Sequence, residues 1–226
     1  MKLALLFVLL PLCHSKVTAQ NQVGDIKAVH RKTLSALAII LPRDHPAHHP
    51  LDDDIARRWF GLFIRELDPR RVYFTAEDIR HFAEHRGVLD DHARRGDLSF
   101  ADLVRDTYAK RLHQATTMGI ELLDERHDFE RHERFELHPE GFSADGEALR
   151  NRWRKRVKYE ILVERSNGLT IDRAVAKLRA RYRRVARDNQ FDNDEDLYEL
   201  FLHTFTRSFG PHNWYLGELT LEIFRS

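Results

Sequence analysis

Apolar residues recur along this chain at three- and four-residue intervals, and no run alternates apolar with polar residues convincingly enough to make a strand. Such spacing gives a helix one dry face, so the chain is expected to fold as an all-α domain of about eight helices. Ile26, Val29, Leu34, Leu37, Ile40 and Leu41 set a first helix over about 25–41, ending before Pro42, with a linker running to Pro50. A second starts near Asp52 and carries Ile55, Trp59, Phe60, Phe63, Ile64 and Leu67 on one side. Asp52, Asp53 and Asp54 suit its positive end, and Asp68-Pro69 stops it.

Thr75 followed by Glu77 and Asp78 reads as an N-cap with an acidic first turn, opening a helix toward Arg86 that Gly87 breaks. Ser99-Phe-Ala-Asp102 reads as the same device ahead of a long helix through Leu122. Asp124 to His138 is poor in apolar residues and is expected to lie exposed, before a loop from Pro139 to Gly146. Further helices are expected over about 147–164, from a Thr170 cap through Val185, and over about 194–208, where Gly210-Pro211 stops the chain's last full helix. No internal repeat is evident.

The N-terminus carries a different signal. Met1-Lys2 precedes an apolar run from Leu3 to Leu12, then a polar stretch and Val17-Thr18-Ala19. This pattern predicts a secretory signal over residues 1–19 with cleavage after Ala19, leaving one helical domain over 20–226. The run falls short of the roughly 20 residues that span a bilayer, so no integral membrane segment is expected after cleavage, and the location is read as periplasmic or extracellular. Cys13 raises a lipoprotein alternative, which Leu12 disfavours because a small residue is expected there. The mature chain then has no thiol, which rules out disulfides and cysteine-bound metal. Its core depends on packing alone.

Charge says little about a global partner, since 37 basic and 36 acidic residues leave a formal +1. Locally, Arg150 to Arg187 holds fourteen Lys or Arg against Glu160, Glu164 and Asp172. Asp188, Asp192, Asp194, Glu195, Asp196 and Glu199 follow at once, so a solvated face paired to that acidic run is expected, not a nucleic-acid site. Docking of an acidic partner is the functional alternative.

Two histidine groups invite chemistry. His81-Phe82-Ala83-Glu84-His85 matches H-x-x-E-H, in which two histidines on one helical face hold zinc and the glutamate serves as base. The pattern is short, the chain has 14 histidines, and no third ligand stands out, so a solvated face is expected and no cofactor or metal is assigned. A zinc peptidase through His81, Glu84 and His85 is the competing reading. His45, His48 and His49 lie near Asp44 and Asp52, where a proline-rich linker explains them without a metal. No G-x-S-x-G elbow or Ser-Lys context is present.

Several separated islands resemble one family. Asp52-Asp53, then Leu67-Asp68-Pro69-Arg70-Arg71-Val72-Tyr73-Phe74 with Asp78-Ile79, resemble the D-D and L-D-P-x-x-x-Y-F-x-x-x-D-I of the N-terminal helical domain of tail-specific (C-terminal processing) proteases. Trp153 to Lys158 (WRKRVK) resembles its W-R-K-R-L-K, and Leu178 to Tyr182 (LRARY), with Arg181, its L-x-x-R-Y. Phe205 to Phe224, with Pro211, His212 and Tyr215, resembles its closing segment. Gly210 and Asn213 stand where that family has Asp and Thr, which removes polar side chains suited to fixing a turn.

The resemblance implies a domain that accompanies a PDZ module and a Ser/Lys peptidase, whose catalytic residues would lie past Phe224, so no catalytic residue is assigned. It further implies an interaction or scaffold role, truncated or acting in trans, with a separate peptidase, an envelope adaptor or protein substrates as partners. A stand-alone exported peptide-binding protein is the remaining alternative. The motif residues themselves read as architecture: Asp68-Pro69 lets the chain turn, Tyr73 and Phe74 return bulky rings to the core, and Trp153 and Tyr182 pack within it.

Overall fold

A computed structural model describes residues 19–44, 49–187, 194–211, 213 and 215, apart from the side chains of 19–25 and 194. The helical spacing resolves into α1 (Ala19–Asp44), α2 (Asp53–Leu67), α3 (Ala76–Ala83), α4 (Leu89–Arg95), α5 (Ser99–Leu122), α6 (Gly146–Ser166), α7 (Ile171–Arg187) and α8 (Asp194–Phe209). Among the described residues there is no strand, only an isolated bridge between Thr75 and Ser143. No helix is long and apolar enough to cross a membrane, again among the described residues. Residues 1–18, which hold all but Ala19 of the expected signal, lie outside the described part.

The caps explain most boundaries. The Asp52 carboxylate accepts from Asp54 N and Ile55 N at 3.0 and 3.1 Å, satisfying two of the N–H groups that a helix start leaves bare. At α3, Asp78 N donates to Thr75 Oγ1 while Thr75 N donates to Asp78 Oδ2, a reciprocal capping box. Asp145 caps α6 by accepting from Ala148 N at 2.8 Å.

Several elements differ from expectation, among them α3, which ends at Ala83 and not near Arg86. α1 runs through Pro42 to Asp44, because a proline in the last turn forfeits one backbone bond without stopping the next two residues. Ser99 is the first residue of α5 and not its cap; the preceding Leu98 gives no side-chain cap, and Asp97 accepts from Ser99 N at 2.9 Å instead. α4 was not expected at all. Its seven residues are too few to display a helical period, and it ends at Gly96 in the left-handed conformation, φ 61°.

Gly96 also fixes how α4 meets α1. A Cβ there would sit 2.4 Å from the Arg31 carbonyl oxygen, while Arg31 Nε donates to the Gly96 carbonyl at 3.1 Å. Gly96→Ala adds both a left-handed backbone penalty and a backbone clash, and is expected to cost about 2 kcal/mol in urea unfolding.

The helices bury two apolar clusters joined by α5. The larger takes Leu34 from α1, Trp59 and Phe63 from α2, Phe100 from the start of α5, and Phe201 and Phe205 from α8. Trp59 is fully buried; its Nε1 donates to the Phe201 carbonyl at 3.0 Å, and its ring lies 4.3 Å from that of Phe201. The second gathers Ala115 and Leu122 from the rear of α5 with Trp153, Val157 and Ile161 of α6 and Leu178 and Tyr182 of α7. Gly119 lets α5 approach them, since a Cβ there would stand 3.0 Å from the Trp153 ring and 3.1 Å from that of Tyr182.

Candidate functional site

Asp68 organises the segment between α2 and α3. The chain leaves α2 at this residue, and the fully buried Phe74 must return to the larger cluster six residues later, so the intervening backbone needs partners away from water. Asp68 supplies them: its carboxylate accepts from Val72 N, Tyr73 N and Phe74 N at 2.9, 2.9 and 3.0 Å. Burial pushes this carboxyl above its ordinary range, and the three N–H groups oppose that by favouring the ionised form.

The carbonyls of the same turn face the second cluster. Arg152 Nη1 donates to the Arg71 carbonyl at 2.6 Å, and Trp153 Nε1 to the Val72 carbonyl at 2.7 Å. Arg71 takes the left-handed conformation, φ 50°, which a non-glycine residue holds only when its surroundings enforce it. Just beyond, Asp78 receives a bidentate pair from Arg111 at 2.8 and 2.8 Å. Burial works to raise the Asp78 carboxyl; Arg111 and the Thr75 donors outweigh it and hold the group below its ordinary range. Arg111 and Arg152 were not singled out in the sequence, since partners 33 and 81 residues away leave no local trace.

The other motif residues are likewise spent internally. Leu67 is buried, Pro69 is exposed, and Tyr73 is half-buried with its ring 5.4 Å from Tyr108. Tyr182 Oη donates to Glu160 at 2.5 Å, and Arg181 pairs with the same carboxylate. Burial first, and then Glu160, push the Tyr182 hydroxyl above its ordinary range. Arg156 lies over the Trp153 ring at 4.6 Å. Asp53 stays exposed, 3.8 Å from Arg57. Pro211 is exposed, whereas Tyr215 packs half-buried against the larger cluster; His212 and Phe224 lie outside the described residues. The departure at Asn213 does not leave the turn bare, because its Nδ2 donates to the Thr206 carbonyl at 3.1 Å.

The described pairs of the basic band go to other parts of the fold. Arg150 reaches Glu125 at 2.5 Å, Arg179 reaches Asp124 at 2.5 Å, and Lys177 reaches Glu164 at 2.7 Å. α7 packs on α5 and α6, whereas α8 packs mainly on α1 and α2 and more lightly on α5. Asp188, Asp192 and the Asp194 side chain lie outside the described part. Within the 124–138 stretch, expected to be exposed, Glu133 is instead drawn in between Arg154 and the buried Lys158, at 2.5 and 3.1 Å.

Arg154, followed by Lys158, holds the Glu133 carboxyl down to about 2, against an ordinary 4.5. A depressed carboxylate adds stability that is present above 4.5 and fades as pH falls toward 2. Glu133→Gln is therefore expected to cost on the order of 1–3 kcal/mol at pH 7, with the difference from the parent closing between pH 4.5 and 2 in denaturant unfolding.

His81, Glu84 and His85 do not converge. His81 Nδ1 stands 3.7 Å from Glu84 in an exposed contact, while the His85 ring turns toward Phe100, 5.5 Å away. No group of three or more metal-binding side chains assembles among the described residues. His45 and His48 lie outside them.

A cleft of about 720 Å³ lies against α2, bounded by the 138–142 loop and the end of α8. Its charged lining is nearly all cationic, from Arg57, Arg58, Arg65, Arg71 and Arg207. Arg58 and Arg65 lie seven residues apart and so share one outer face of α2.

Two apolar clusters bridged by a long helix, with a buried carboxylate in the turn that connects them, define an all-helical domain. The tail-specific protease N-terminal domain family matches residues 37–218. The chain belongs to that family. The tail-specific protease of Haemophilus influenzae is 30% identical over 211 residues, covering 92% of this chain and 29% of that protein. The chain thus spans less than a third of that relative's length.

Proposed function

We propose that this chain is a non-catalytic interaction and scaffold domain of a tail-specific serine protease system that works on exported proteins, within a longer polypeptide or in trans. One observation carries the reading: the described residues that carry the resemblance are largely spent on caps, turns and core, and Asp68, Trp153, Lys158 and Tyr182 each bind another part of the same chain. Such residues build a shape and leave its surface to recognise proteins. The family's name and that of the Haemophilus influenzae relative connect the shape to proteolysis. The leader-like N-terminus supports a periplasmic or extracellular site of action.

The test is reconstitution. Purified chain, mixed with separately produced PDZ and Ser/Lys peptidase parts of a tail-specific protease, is expected to sediment as a complex and to change the rate at which the peptidase degrades an unfolded protein. Independent sedimentation with an unchanged rate would refute the scaffold role.

A further inference from the structure

We propose that the arginine-lined cleft on α2 is a docking groove for an extended polypeptide segment bearing both acidic and apolar side chains. This rests on the interaction reading and specifies where, and to what chemistry, the domain binds.

The cleft's volume, about 720 Å³, lies in the range that takes several side chains. Its one carboxylate, Asp68, already accepts three backbone N–H groups and has little left to offer the arginines. Arg57 and Arg207 are paired outside the lining, with Asp54 at 2.5 Å and Glu66 at 2.9 Å. Arg58 and Arg65 make no ion pair among the described residues, although both stand exposed along α2. Two guanidiniums two turns apart on one helix face, with only Asp54 near Arg58 to offset them, form a positive stripe on which carboxylates of an extended segment could each be met bidentately.

Apolar groups complete the site. Phe60, Ile64 and Ile79 line the cleft, and Phe142 closes one side with Arg71 stacked over its ring at 5.5 Å. The strained backbone of Arg71, φ 50°, sets that wall. A phosphate backbone would use the arginines and leave the apolar lining idle, whereas an acidic and apolar peptide uses both.

Fluorescence anisotropy of the whole chain with a labelled ten-residue peptide alternating Glu with Leu or Phe tests the proposal. Binding is expected to weaken at least tenfold in Arg58→Glu/Arg65→Glu, and about as much when Gln replaces every Glu or Ser every apolar residue of the peptide. Arg173→Glu, an exposed change on α7, should leave it unaltered. Absence of binding, insensitivity to the α2 reversal, or equal affinity for a single-stranded oligonucleotide would each overturn the groove. Thermal unfolding of the variants at the parent temperature keeps misfolding from mimicking the result. A peptidase complex that forms unchanged in Arg58→Glu/Arg65→Glu would sink the groove alone; failure of the parent chain to form it sinks the scaffold reading instead.

Discussion

Asp68→Ala is expected to be the most destabilising single change in the domain, lowering the unfolding free energy by about 3–6 kcal/mol. The estimate follows from three backbone N–H groups, of Val72, Tyr73 and Phe74, losing a charged acceptor in a place water does not reach freely. The loss spreads, because the same turn presents the Arg71 and Val72 carbonyls to α6 and returns Phe74 to the larger cluster. Asp68→Asn should recover only part of it: an amide offers one acceptor oxygen and turns an N–H₂ toward groups that are themselves donors. Urea midpoints of the three proteins, at an unchanged denaturant slope, measure the effect; an Asp68→Ala midpoint within error of the parent would show that the carboxylate does not hold the turn.

Trp153→Ala should follow closely, at about 3–5 kcal/mol. The indole is 2% exposed, meets Tyr182 edge-on with ring centroids 5.8 Å apart, and reaches the 68–74 turn through the Val72 carbonyl. Truncation leaves a cavity between α5, α6 and α7 and an unpartnered carbonyl on the turn. Trp153→Phe separates the two contributions, since it keeps most of the volume and loses the N–H; about 1–2 kcal/mol is expected. If Phe costs as much as Ala, the hydrogen bond to the turn outweighs the packing.

What could be read from the sequence follows the range of the physics. The Thr75 cap, the acidic start and stripe of α2 and the stops at Asp68-Pro69 and Gly210 act within a few residues, and these were legible. The seven-residue α4 was not, since a helix that short shows no period and its order comes from contact with α1 and α2. Pro42 misled because a helix end depends on what the proline forfeits, one bond here, and not on its mere presence. Charge pairing was legible as a tendency and illegible as a partner list: much of the acidic run after Arg187 lies outside the described residues, and the described partners of Arg179, Arg150 and Arg154 are Asp124, Glu125 and Glu133, which no local spacing announces. The cleft was hidden for the same reason. Arg58 and Arg65 are visible in the sequence, but that Arg207 and Phe142 join them on one concavity is a fact of the tertiary fold.

Incubation of the purified chain with an unfolded polypeptide, with and without a chelator, separates recognition from chemistry most directly. On the reading of a domain whose motif residues build shape, the polypeptide stays intact in both samples. Cleavage that the chelator suppresses and that Glu84→Gln abolishes would contradict it, and would return His81, Glu84 and His85 to the centre of the protein's function.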